Sequence, residues 1–202
     1  MRDSRINLIF EGSSEIMRLF LAREALDPHL KVAGGALDSR SPAGRRLAAA
    51  LKAGGFYALW YPRQFLPAGG VPADFTPALR PALAYVARTS RRLARTLFHA
   101  MAKHGPGLEK RQLLLGRVVD IGTELFALTA ATLRADALIK RAYPAQPRAE
   151  LEHLAGCAFG EARGRIAAGF AALQHNNDDR NYRLAQALLD GRHDHLRRGI
   201  VE

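Results

Sequence analysis

From Asp74 almost to the end of the chain, apolar and small residues recur at steps of three and four. Leu79, Leu83, Val86, Ser90, Leu93, Leu97 and Ala100 trace one stripe. Leu115, Val118, Gly122, Leu125, Thr129 and Leu133 trace a second, and Leu151, Leu154, Ala158, Ala162, Ile166, Phe170 and Leu173 a third. Such spacing gathers side chains on one face of a helix, and that face needs another helix to cover it. No segment alternates with period two, so no strand is expected. Gly105-Pro106-Gly107 separates the first two helices, Pro144 and Pro147 follow the second, and the Asn176–Asp179 cluster caps a short fourth helix over Arg180–Leu189. Three long helices and a short one with brief connections predict an all-α, up-down bundle. There is no internal repeat.

The first 73 residues are organised differently. Ser13 and Ser14 offer an N-cap, Glu15 suits the positive end of a helix dipole, and Ile16, Leu19, Phe20 and Arg23 keep helical spacing. One helix is expected from about 14 to 31, before the Gly34-Gly35 break. Residues 32–73 read as a linker. It holds a short helix over Leu47–Ala53, stopped by Gly54-Gly55, then aromatics from Phe56 to Trp60 and repeated Pro and Gly. The expected division is 1–31, 32–73 and 74–202.

Charge narrows the function classes. Thirty Lys and Arg against 19 Asp and Glu leave +11, and 25 of the 30 basic residues are Arg. Aromatic residues make up 7% and do not interleave with the Arg clusters, so stacking on single-stranded nucleic acid is not supported and no nucleic-acid partner is expected. No uncharged apolar run reaches the ~18 residues that span a bilayer. Arg2, Asp3, Arg5 and Glu11 spoil any reading of the N-terminus as a signal peptide. A single cysteine, Cys157, fits a reducing, cytoplasmic setting.

Several residues could carry chemistry. Glu11 lies between Phe10 and Gly12 just before a helix N-terminus. An apolar neighbour makes a carboxylate a better base near neutrality, and Gly12 lets a ligand approach the backbone. On spacing alone, Glu11 also reads as an ordinary loop carboxylate. Arg88, Arg91, Arg92 and Arg95 share one helix face, either solvated or in contact with an anionic surface or partner. His153, Cys157 and Glu161 stand four apart, and His193-Asp194-His195 lies in a charged tail. Neither set has a standard metal motif, so no metal is expected.

The segment Arg2–Arg23, RDSRINLIFEGSSEIMRLFLAR, resembles the C-terminal signature of the acyl-CoA dehydrogenases. The resemblance implies that Glu11 is the catalytic base for the α-proton of a fatty acyl-CoA thioester, with hydride passing to FAD. It implies that Gly12 lies against the substrate and that Ser13, Ser14 and Glu15 line the FAD. An electron-transfer flavoprotein and a homodimer follow from the same resemblance. Residues 74–190 resemble the extra helical domain of the very-long-chain branch, in wording such as Leu108–Gln112 and Tyr143-Pro144. That implies peripheral membrane contact. The N-terminal helical and β domains of the family are not in these 202 residues. The chain alone is therefore expected to bind no FAD and to be inactive. The alternative is a non-catalytic basic helical module that docks on a membrane surface or partner.

Overall fold

The computed structural model describes residues 13–38, 40–67, 69–141, 147–193 and 195. Six α-helices account for most of them, and none of the described residues is in a strand. The helices are α1 (Ser14–Leu37), α2 (Ala43–Arg63), α3 (Arg80–His104), α4 (Gln112–Lys140), α5 (Arg148–Gln174) and α6 (Asp178–Leu189). The all-α expectation holds.

α4 is the hub, packing against α1, α3 and α5. Toward its start, Leu115 and Val119 join Ala22 of α1, Ala100 of α3 and Leu108. Further along, Ile121 and Leu125 meet Ile166 and Phe170 of α5, with Tyr85, Val86 and Leu93 of α3 alongside. Leu128 then meets Ala82 and Ala162, and Ala135 meets Phe75 and Leu79. The α4–α5 approach depends on Gly169. A Cβ there would stand 2.8 Å from Cγ1 of Ile121, which is 1% exposed. Gly105 ends α3 with φ 50° and ψ −134°, a conformation that L side chains rarely adopt. A 3-10 turn over Gly105–Lys110 leads into α4.

Polar ties fix the loops to this hub. Asp136 is buried on α4 and accepts hydrogen bonds from the Thr76 backbone N–H (2.8 Å) and hydroxyl (2.7 Å). Lys140 bridges Asp136 (2.9 Å) and Asp74 (3.0 Å). The two aspartates that open α6 pair with arginines near the start of α4: Asp178 with Arg117 and Asp179 with Arg111.

Several expected boundaries shift. α1 runs through Gly34-Gly35 to Leu37 instead of stopping near 31. Packing explains this: a Cβ at Gly35 would lie 3.2 Å from Cβ of Ala49, so glycine lets α1 and α2 approach closely. α2 spans 21 residues and crosses Gly54-Gly55. Its last turns are held by Tyr57, Trp60 and Tyr61, whose rings pack on Phe98 of α3. Tertiary contact outweighs the roughly 1 kcal/mol helix cost of each glycine. The helix expected from Asp74 begins at Arg80, after a 3-10 turn at Pro77–Leu79. Within the stripes, Leu133, Leu154, Ala158 and Ser90 face solvent. In α4 the buried line continues through Leu128, Thr132 and Ala135, and in α5 Phe159 packs inward instead of Leu154 and Ala158. Successive steps of four overshoot the 3.6-residue turn by about 40° each.

Candidate functional site at the start of α1

The segment singled out by sequence leads into α1. Glu11 and Gly12 lie outside the described residues. Ser13 is extended (φ −56°, ψ 154°), and its carbonyl accepts the Met17 N–H at 3.0 Å as the first turn closes. Its hydroxyl makes no capping hydrogen bond. Ser14 opens the helix and Glu15 stands exposed in the first turn. Two half-buried hydroxyls and the early N–H groups of a 24-residue helix thus form a donor-rich end. These donors fit a polar, partly anionic cofactor such as FAD. The end is held in place. Arg18 donates from Nε to Asp120 Oδ1 of α4 at 2.8 Å, and Ala22 is buried one turn further on.

One side of α1 has its cover and the other does not. Ala22, Leu26 and His29 face α2, α3 and α4. Ile16, Met17, Phe20 and Leu21 are exposed. Four exposed apolar side chains within two turns form a patch of the kind that usually meets a partner surface.

Arg88, Arg91, Arg92 and Arg95 of α3 do not form one free face. Arg91 donates to the Leu66 carbonyl and Arg95 to the Gln64 carbonyl, tying down the chain where α2 ends. Arg95 also lies over the Phe65 ring, 4.4 Å from its centroid. Arg92 sits 3.9 Å from the Phe170 centroid, with its side chain otherwise exposed, and Arg88 is exposed.

The other candidates are not drawn into a site. Cys157 Sγ lies 3.7 Å from His153 Nε2, while Glu161 pairs with Arg165 at 3.5 Å. His193 and His195 have ring centroids 5.9 Å apart, and Asp194 lies outside the described residues. Among the described residues no group of three or more His, Cys, Asp or Glu is arranged to hold a metal, and no helix is long and apolar enough to cross a membrane.

Sequence reasoning missed one cluster. His29 is buried, shares a 3.0 Å hydrogen bond from Nδ1 with the Tyr57 hydroxyl, stacks on that ring and meets Trp60 edge-on. Burial holds its pKa below the usual 6.5. The Phe56–Trp60 aromatic run was the available signal, and it read as linker.

No protein-family profile matches the chain. Among individual proteins, the "Probable acyl-CoA dehydrogenase FadE10" of Mycobacterium tuberculosis is 45% identical over the whole chain, which covers 31% of that protein. Its counterpart in Mycobacterium bovis aligns to the same extent. The human "Very long-chain specific acyl-CoA dehydrogenase, mitochondrial" is 28% identical over 86% of the chain, which covers 26% of it. The chain thus spans less than a third of the length of these relatives. Along all 202 residues it is related to part of the acyl-CoA dehydrogenases, and the match fits their C-terminal portion.

Proposed function

We propose that these residues supply the catalytic base and the C-terminal helices of an FAD-dependent dehydrogenase that introduces an α,β double bond into fatty acyl-CoA. The observation that carries this reading is the Glu11-Gly12-Ser13-Ser14-Glu15 segment, set in a chain 45% identical throughout to an acyl-CoA dehydrogenase. Glu11 takes the α-proton of the thioester. Its apolar neighbour Phe10 raises its basicity toward neutrality, and N–H groups at the start of α1 favour negative charge building on the thioester carbonyl. Gly12 leaves room for the substrate, and Ser13, Ser14 and Glu15 would line the cofactor. A bound FAD supplies the hydride acceptor.

On this reading residues 1–31 close the catalytic helical domain, 32–73 connect, and 74–202 form an added bundle. An electron-transfer flavoprotein takes the electrons, and the working enzyme is a homo-oligomer. The 202 residues alone hold no flavin and do not turn over. The test joins them, by fusion or by mixing, to a polypeptide carrying the FAD-contacting domains of a relative. Acyl-CoA should then bleach the flavin absorbance, and neither part should do so alone. No bleaching by a flavin-loaded assembly contradicts the proposal.

The exposure of Arg88 and Arg92 supports a second reading, in which the bundle docks on an anionic membrane or partner. Pelleting with liposomes should then rise with anionic lipid and fall in Arg88→Glu/Arg92→Glu. Pelleting indifferent to lipid charge removes this reading.

A further inference from the structure

A pocket of about 500 Å³ opens between the second half of α1, the middle of α2 and the end of α3. That volume lies within the range of small-molecule sites. Leu26 and Leu30 of α1, Tyr57 of α2 and Phe98 and Met101 of α3 provide apolar and aromatic walls. The only charged side chain on the wall is Glu109, from the 3-10 turn that follows α3, and no Lys, Arg or His lines it among the described residues.

The last turns of both α1 and α3 border the same space. Helix C-termini carry partial negative charge on their unpaired carbonyls. Two such ends and Glu109 therefore border an apolar pocket whose own lining holds no cation among the described residues, while Lys103 and His104 in the last turn of α3 and Lys110 beside Glu109 adjoin these lining residues in sequence. The Tyr57 hydroxyl is already engaged by His29, whose ring also stacks on Tyr57, so Tyr57 meets the pocket through its remaining ring surface.

We propose that this pocket binds an apolar molecule carrying one cationic nitrogen. The apolar body packs against Leu26, Leu30 and Met101. The nitrogen lies toward Glu109 and the helix ends, within reach of the Tyr57 and Phe98 rings, whose faces attract cations. Carboxylates and phosphates are disfavoured by the same charges. The site uses none of the residues assigned to dehydrogenation, so it stands or falls separately from that reading.

Trp60 is the only tryptophan of the chain, and its ring lies 6.0 Å from Tyr57 and 5.7 Å from Phe98, both on the pocket wall. Its emission should report filling, and calorimetry reads the same titrations independently of emission. The full chain is titrated with decyltrimethylammonium, decanol and decanoate, each below its micelle concentration. The ammonium compound should bind saturably, about tenfold tighter than decanoate. Glu109→Gln should weaken the ammonium compound about three- to fivefold and leave decanol unchanged. Absence of saturation, decanoate binding as tightly as the cation, binding of decanol alone, or indifference of the cation to Glu109→Gln overturns the proposal.

Discussion

The α3–α4–α5 bundle and the α1–α2 pair are built from similar residues but finished differently. In the bundle, Ile121 and Ile166 are each 1% exposed, and Asp136 and Lys140 lock the entry loop. In the pair, Ala53 is the one buried residue of α2, Leu59 is 74% exposed, and Phe20 of α1 is 57% exposed. The bundle buries a continuous core along α4, completed at its start by Ala22 of α1. The pair covers one flank against the bundle and offers the other, as expected of a segment shared with a larger body. Stability and assembly should therefore respond to different residues.

The largest loss of stability should come from the bundle core. Ile166→Ala is expected to cost about 2–5 kcal/mol in chemical denaturation, because the site between Ile121 and Phe170 cannot collapse. A cost below 1 kcal/mol would mean that the core is looser than described. Gly169→Ala should follow, at about 1–3 kcal/mol, since the new methyl group drives into Ile121.

Asp136→Ala should cost about 1–3 kcal/mol by leaving the Thr76 N–H and hydroxyl unpaired. Burial pushes the Asp136 carboxyl up, but the Thr76 hydrogen bonds and Lys140 outweigh it and hold the group below the usual carboxylate range. Its contribution is therefore present above about pH 4 and lost as pH falls through the lowered folded value. Acid melts of wild type and Asp136→Ala should converge below that range.

His29 should give a smaller, local effect in the α1–α2 pair. Its folded pKa is lowered by burial, so its contribution is complete above 6.5 and declines as pH falls through 6.5 toward the folded value. Trp60 emission should change over that interval in the wild type and not in His29→Phe.

The smallest effect on folding should come from the outward face. Phe20→Ser is expected to shift stability by less than about 0.5 kcal/mol. The same change should prevent association with the flavin-binding polypeptide, as read by gel filtration. Unimpaired association would erase the distinction between the two regions.

Much of the bundle was legible because α3, α4 and α5 each bury a long face, and burial writes the helical period into Leu79, Leu97, Leu115, Leu125, Ile166 and Phe170. Gly105 announced its turn through a conformation other residues avoid. Ends of two stripes were misassigned: a step of four from Thr129 led to exposed Leu133, and a step of three from Leu151 led to exposed Leu154. α2 was read too short because Gly54-Gly55 is a local stop signal. What overrides it is contact of Tyr57, Trp60 and Tyr61 with residues about 30 to 40 positions away. The candidate base was legible from its wording alone. The pocket beside Glu109 was not, since Glu109 and the ends of α1 and α3 meet there only in three dimensions.

The most direct test of the central claim follows the proton. A flavin-loaded assembly containing these residues is incubated with acyl-CoA in deuterated water, and exchange of the substrate α-hydrogen is measured for the wild type and Glu11→Gln. Loss of exchange by about 10²–10⁴-fold, with FAD content unchanged, is the expected result for a general base. Exchange at the wild-type rate in Glu11→Gln would contradict the account.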